Sequence, residues 1–124
     1  MTKRILVVDD EADVRRFLTA VLEKRGHETV TAADGREAFE IAERERPDLI
    51  ILDLQMPDQT GTDFYRRLMK HKELQKTPII VVSGLAGRHL AVREPFAVFD
   101  KPIDPDEFGA TVDRALGLNN GVEE

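Results

Sequence analysis

Cysteine is absent from the 124 residues of this chain. Disulfide bonds and thiolate metal sites are therefore excluded, and nothing in the composition indicates an oxidising compartment. Long apolar stretches are absent too, because the purely apolar runs extend for only a few residues. The first residues, "MTKR", lack the apolar segment that a signal peptide needs. We therefore expect a soluble, cytoplasmic protein that does not bind membranes.

An excess of positive charge is also missing. The chain has 24 acidic residues against 18 lysines and arginines, and its formal net charge at pH 7 is -6. Nucleic-acid binding by this domain alone is disfavoured, because it depends on Lys and Arg side chains that neutralise phosphates. Cations or other proteins are better partners for such a chain. We expect one domain over residues 1–118, with the polar residues 119–124 as a tail or the start of a linker.

Five short segments have the composition of β-strands. Three are continuous apolar runs, "ILVV" (5–8), "LIIL" (49–52) and "IIVV" (79–82), and two are weaker, "ETVTA" (28–32) and "AVF" (97–99). Continuous apolar runs are typical of strands that are buried on both faces of a parallel sheet. These segments therefore predict a five-stranded parallel sheet.

Helical patterns separate the strands. Apolar residues recur at helical spacing over residues 14–22, and Phe64 and Leu68 anchor a later helix. Two more helices begin at residues suited to N-terminal capping, Asp34 and Asp104. The alternation of strands and helices predicts a doubly wound α/β fold, with right-handed crossovers and helices on both faces of the sheet.

Reactive side chains end four of the predicted strands. Asp9 and Asp10 follow the first strand, Asp53 ends the third, Ser83 the fourth and Lys101 the fifth. Because ligands of an open parallel sheet bind at the carboxyl ends of its strands, we expect these residues to share one crevice. Crowded carboxylates repel one another, so they need a counter-charge, which Mg²⁺ would supply, or must stay partly protonated. Together with an ammonium group, a hydroxyl and a nucleophilic carboxylate, such a site indicates phosphoryl transfer.

Four motifs make the sequence similar to the receiver domains of two-component response regulators, of the chemotaxis-regulator type. They are "VVDDE", "LDLQMPDQTG", "VVSG" and "DKP", and the resemblance covers residues 3 to about 117. It implies a flavodoxin-like sheet with the strand order 2-1-3-4-5. It also implies a signalling module that takes a phosphoryl group from a histidine kinase or histidine phosphotransfer protein and controls a downstream target or attached output domain. Such a module catalyses only its own phosphorylation and dephosphorylation.

The same resemblance implies roles for individual residues. Asp53 is the expected phospho-acceptor, Lys101 the residue that contacts the phosphoryl group, and Ser83 the hydroxyl that switches position. The expected ligands of Mg²⁺ are the carboxylates of Asp9, Asp10 and Asp53 and the backbone carbonyl of Gln55.

Two features depart from the family pattern. Val98 stands three residues before the lysine, where these receivers usually carry Tyr, Phe or His that turns inward on phosphorylation. The segment from Ser83 to Lys101 is roughly one helical turn shorter than usual and rich in glycine, so we expect a short or irregular fourth helix. We therefore expect signalling through backbone changes in residues 84–95.

The "DKP" motif also implies a cis peptide bond between Lys101 and Pro102.

Two other functions are considered from the sequence. A phosphohydrolase with an aspartate nucleophile would need an acid two residues after Asp53, where Gln55 stands and cannot act as an acid. A flavin or nucleotide binder on this fold would offer glycine amides where "DDEAD" would repel phosphate.

We interpret the basic cluster over residues 66–76 as a solvated helical face.

Overall fold

The computed structural model of this protein describes residues 3–54, 56, 60–83, 92 and 95–118, with the backbone alone at positions 60 and 83. Strands and helices alternate along this part of the chain, as the sequence predicts. In chain order the elements are β1 (Arg4–Val8), α1 (Ala12–Lys24), β2 (Glu28–Ala32), α2 (Gly35–Glu45), β3 (Leu49–Asp53), α3 (Thr60–Lys70), a 3₁₀ turn (Leu74–Lys76), β4 (Ile79–Ser83), β5 (Ala97–Asp100) and α4 (Pro105–Ala115).

The five strands form one parallel sheet in the order β2-β1-β3-β4-β5. Ile5 pairs with Leu49 across β1 and β3, and Ile50 pairs with Ile79 across β3 and β4. Because β1 and β3 are central, their carboxyl ends lie at the point where the chain changes direction across the sheet. The predicted doubly wound, flavodoxin-like fold and its strand order are confirmed.

Neighbouring residues of each central strand face opposite sides of the sheet, as the pleat requires. Leu6 and Val8 belong to an apolar cluster with Phe64 and other residues of α2 and α3. Ile5 belongs to a second cluster with Phe108 and other residues of α1 and α4. All of these side chains are at most 1% exposed. Helices therefore cover both faces, which is why the strand sequences are continuously apolar.

Side chains cap two helices as the sequence predicts. The carboxylate of Asp34 accepts a hydrogen bond from the backbone N–H of Glu37 at 2.9 Å, and Glu37 accepts one from the N–H of Ala33 at 2.8 Å. Asp104 accepts from the N–H of Asp106 at 2.9 Å. Each interaction satisfies an N–H group that the helix itself leaves unpaired.

The predicted apolar pattern of α1 differs from the structure at Phe17. Leu18 and Leu22 are buried against the sheet, but Phe17 remains 40% exposed. Phe17 lies about 100° around the helix from Leu18, at the edge of the stripe that faces the sheet. Helical spacing therefore identified the helix correctly but not which of its apolar residues lie in the core.

Val98 and Phe99 point to opposite faces of β5, as expected for a regular strand. Val98 is 39% exposed, whereas the ring of Phe99 packs edge-on against Phe108 with 5.4 Å between the ring centroids.

The peptide bond between Lys101 and Pro102 is cis, which confirms the prediction from "DKP".

Two predictions concern parts of the chain that the structure does not describe. The expected irregular fourth helix falls in residues 84–95, of which only 92 and 95 are described, and the expected tail is residues 119–124. In the part of the chain that is described, none of the helices is both long and apolar enough to span a membrane.

Candidate functional site

Three aspartates meet at the carboxyl ends of β1 and β3. Val8 pairs with Leu52 in the sheet, so Asp9 and Asp53 follow at the same level. Oxygen atoms of Asp9, Asp10 and Asp53 all lie within 4.8 Å of one another. Asp9 and Asp53 are 1% and 2% exposed, whereas Asp10 is open to solvent. The structure thus brings together three carboxylates that the sequence placed at strand ends.

Lys101 adds one ammonium group to this crevice. Its Nζ lies 3.4 Å from Asp9 Oδ2 and 3.5 Å from Asp53 Oδ2, and it is also 3.4 Å from Glu11 Oε1. Burial lowers the pKa of Lys101, but the charges of Asp53 and Asp9 and the hydrogen bonds to Asp9 and Glu11 raise it above its ordinary value. Lys101 is therefore a cation at neutral pH that is shared among several carboxylates.

The burial of Asp9 has an electrostatic cost. Burial raises the pKa of Asp9 to about 6, against the hydrogen bond that its Oδ1 accepts from the backbone N–H of Glu11 at 2.9 Å. The negative charge of Asp53 raises the pKa further, and the charge of Lys101 lowers it. Among the described residues, the carboxylates of the crevice therefore carry more negative charge than Lys101 balances.

The donor set fits a hard divalent cation. Among the described residues, the candidate ligand atoms are carboxylate oxygens, and they lie close enough to bind one ion. Mg²⁺ prefers such oxygens and usually keeps several waters, for which the exposed side of Asp10 leaves room. The raised pKa of Asp9 indicates that added positive charge would favour the ionised cluster.

Two residues of the site were not assigned to it from the sequence. Glu11 contacts Lys101, and its position as the third acid of "VVDDE" was an available signal. Arg15 of α1 donates from Nη1 to the backbone carbonyl oxygen of Asp9 at 2.5 Å. This contact depends on the direction in which α1 leaves the sheet, so the sequence carried no comparable signal for it.

Gly61 allows α3 to begin directly against the end of β3. A Cβ at this position would lie 2.9 Å from the backbone oxygen of Asp53 and 3.2 Å from Cε of Met56. The first contact is closer than real Cβ atoms come, and it involves backbone that cannot move aside easily. The glycine therefore fixes the distance between α3 and Asp53.

Two predicted site residues lie partly or wholly outside the described part of the chain. Ser83 ends β4 and its backbone pairs with Asp100, but its hydroxyl lies outside the described atoms. Gln55 lies entirely outside the described residues. Their expected roles, as switch hydroxyl and as carbonyl ligand, stay predictions.

Comparisons with family models, curated proteins and solved structures agree on one protein family. A family model described as "Response regulator receiver domain" matches residues 5–113. Protein Rrf1 of Nitratidesulfovibrio vulgaris is 34% identical over 116 residues, which are 94% of this chain and 84% of that protein. Sporulation initiation phosphotransferase F of Bacillus subtilis is 34% identical over 122 residues, with 97% and 98% of the two chains covered. The structure of chemotaxis protein CheY4 of Vibrio cholerae superimposes with a TM-score of 0.84 at 31% identity, covering 94% of this chain and 100% of that one.

Proposed function

Because this chain belongs to the response regulator receiver domain family, whose members are phosphorylation-dependent signalling modules, we propose that Asp53 accepts a phosphoryl group from a histidine kinase or histidine phosphotransfer protein. The domain then changes its surface to control a downstream protein or an attached output domain. The observation that carries this proposal is the place of Asp53, a buried carboxylate beside Asp9, Asp10 and Lys101 at the end of a central strand. The family match favours this function over the phosphohydrolase and the flavin or nucleotide binder considered from the sequence.

The proposed reaction is a displacement at phosphorus. A carboxylate oxygen of Asp53 forms a bond to phosphorus while the bond between phosphorus and the donor's imidazole nitrogen breaks, and that nitrogen leaves with the electron pair and takes a proton from solvent. We assign to Lys101, whose Nζ is 3.5 Å from Asp53 Oδ2, the neutralisation of charge on the phosphoryl oxygens. We assign Ser83 the role of a hydroxyl donor to the same oxygens. Beyond attachment and loss of its own phosphoryl group, no reaction is proposed.

Receiver domains bind Mg²⁺ in an acidic pocket, and we assign this role to the aspartate cluster. Bound there, the ion supplies positive charge that lets an anionic donor approach the carboxylates. The proposed ligands are the carboxylates of Asp9, Asp10 and Asp53 and the backbone carbonyl of Gln55.

An apolar groove beside the crevice suits a protein donor. It has a volume of about 360 Å³ and is lined by Val14, Phe17, Lys101, Pro102 and Ile103, with Asp13 at its edge. We call it the Phe17 groove, and we assign it to the helix or loop that carries the donor histidine. The groove shares Lys101 with the acceptor site, so a partner seated in it would present its phosphoryl group close to Asp53.

The test of the function is covalent labelling by acetyl phosphate in the presence of Mg²⁺. Intact mass is expected to rise by one phosphoryl group, and chelation of Mg²⁺ by EDTA is expected to prevent the rise. Asp53→Asn should abolish labelling, because it removes the nucleophilic oxygen. Asp106→Asn, an exposed acid in the first turn of α4, is the matched control and should label normally. Undiminished labelling of Asp53→Asn would overturn the assignment of the acceptor.

A further inference from the structure

A local excess of positive charge lies on α3 and the segment that follows it. Residues 60–79 contain five lysines and arginines against two acids, a net charge of +3 in a chain whose total is -6. The basic residues are Arg66, Arg67, Lys70, Lys72 and Lys76.

The acids of this segment do not neutralise its lysines. Asp63 forms an ion pair with Arg66, and Glu73 pairs with Arg46 from outside the segment. Lys70 and Lys76 have no carboxylate within ion-pair distance among the residues that the structure describes. Their charges are therefore available to an external anion.

These charges border a groove with an apolar wall. The groove has a volume of about 670 Å³ and runs between α3 and the start of β4. Its apolar surface comes from the half-buried Met69 and Pro78 and from the edges of Tyr65 and Ile79, which are 6% and 5% exposed. Arg66, Lys70 and Lys76 supply its positive charge.

A second groove runs along the other side of α3. It has a volume of about 420 Å³ and lies between α3 and the first turn of α2. Arg36 and Arg67 add two cations to its lining, and Asp63, which pairs with Arg66, adds one acid. Arg66 and Lys70 border both grooves, so they form a basic ridge along the exposed side of α3. The positive surface therefore extends across the helix.

We propose that the groove formed by Tyr65, Arg66, Met69, Lys70, Lys76 and Ile79, here called the α3 basic groove, binds an acidic segment of a partner protein. Charge complementarity selects the acidic side chains, and the apolar wall accepts one apolar or aromatic side chain between them. A nucleic acid is a poorer occupant, because the rest of the chain is strongly acidic and would repel a long polyanion.

The position of this groove has a consequence for signalling. The α3 basic groove lies on the α2 and α3 side of the sheet, whereas the Phe17 groove lies on the α1 and α4 side. Partners in the two grooves would not compete for the same surface. The acidic partner can therefore bind while a donor protein phosphorylates the domain.

A labelled peptide tests this proposal. The probe is a fluorescein-labelled peptide of eight glutamates and two phenylalanines, measured by fluorescence anisotropy, with a lysine-for-glutamate peptide and a single-stranded oligonucleotide as comparisons. The variant Lys70→Glu/Lys76→Glu should weaken binding of the acidic peptide at least tenfold. The control Arg16→Glu/Lys24→Glu makes the same change of charge at exposed positions of α1 and should change binding less than twofold. Thermal unfolding of both variants verifies that they are folded.

Amide chemical shifts locate the bound peptide. Residues 65–79 should shift on addition of the acidic peptide, and raising the salt concentration should weaken its binding. Equal binding by both double variants, shifts confined to other surfaces, no binding by the acidic peptide, or tighter binding of the oligonucleotide would each overturn the proposal. Labelling by acetyl phosphate, measured in parallel, reports separately on Asp53.

Discussion

Replacing Asp9 with asparagine is expected to stabilise the protein when no divalent cation is bound. Asp9 is 1% exposed, and its pKa is raised from 3.8 to about 6. One pKa unit corresponds to about 1.4 kcal/mol, so ionised Asp9 costs the folded state about 3 kcal/mol at neutral pH. This cost is already net of the attraction to Lys101, 3.4 Å away, which lowers the pKa of Asp9. Because asparagine carries no charge, we expect a net stabilisation of up to about 3 kcal/mol.

The sign of the pH dependence follows from the raised pKa. The folded state binds a proton at Asp9 more tightly than the unfolded state does, so the free energy of unfolding falls as the pH rises from about 4 to about 6. The advantage of Asp9→Asn should therefore be small near pH 4, grow through this window and reach a plateau at neutral pH.

Urea denaturation followed by far-ultraviolet circular dichroism measures these differences, since the chain has no tryptophan. Asp113→Asn is the matched control because it makes the same chemical change with the opposite expected sign. Burial raises the pKa of Asp113, but hydrogen bonds from Arg25 and His27 outweigh it and hold the pKa below its ordinary value. The stabilising contribution of Asp113 is therefore present at neutral pH and is lost as the pH falls through its folded-state pKa.

Two results would refute the reasoning about Asp9. A destabilised Asp9→Asn in EDTA at pH 7 would mean that the contact with Lys101 outweighs the cost of burying the charge. An equal effect of the substitution at pH 4 and pH 7 would mean that ionisation of Asp9 is not its cause. In saturating Mg²⁺ the advantage of asparagine should shrink or reverse, because the native carboxylate then has its counter-charge.

Two further substitutions test the surroundings of the crevice. Gly61→Ala should lower the free energy of unfolding by about 1–3 kcal/mol and slow labelling by acetyl phosphate, because the added Cβ would meet the backbone of Asp53 at 2.9 Å. An unchanged free energy of unfolding in urea would show that α3 can move away from Asp53 without cost. Phe17→Ala should slow transfer from a phosphorylated histidine phosphotransfer protein at least tenfold while labelling by acetyl phosphate changes less than twofold. Phe96→Ala, the same change at a residue that is 46% exposed, is its control, and equal slowing by both would remove the Phe17 groove from donor binding.

The fold was predictable because burial on both faces leaves a strong signal in short strands. Residues 5–8, 49–52 and 79–82 are continuously apolar, and each became a central strand of the sheet. The exposure of Phe17 was not predictable in the same way. Helical spacing gives the direction of an apolar stripe, but its width depends on how closely the neighbouring helix packs.

The site residues also differ in whether the sequence could predict them. Asp9, Asp53 and Lys101 could be placed together because parallel strands bring their carboxyl ends to one edge, whatever the details of packing. The contacts of Glu11 and Arg15 depend on the turn after β1 and on the tilt of α1. Local sequence does not determine these contacts, although the third acid of "VVDDE" was a signal for Glu11.

The charge crowding at Asp9 links the stability of this fold to its proposed function. A cation that restored the ordinary ionisation of Asp9 would recover up to the roughly 3 kcal/mol that burial and Asp53 impose, which corresponds to about two powers of ten in cation affinity. Lys101 supplies only part of this charge, because Asp9, Glu11 and Asp53 share it. A second lysine or arginine side chain in the crevice would stabilise the unphosphorylated protein. It would, however, compete with Mg²⁺ for the same carboxylates. In the proposed function, the incomplete neutralisation of the crevice would therefore let it bind a divalent cation and then an anionic donor.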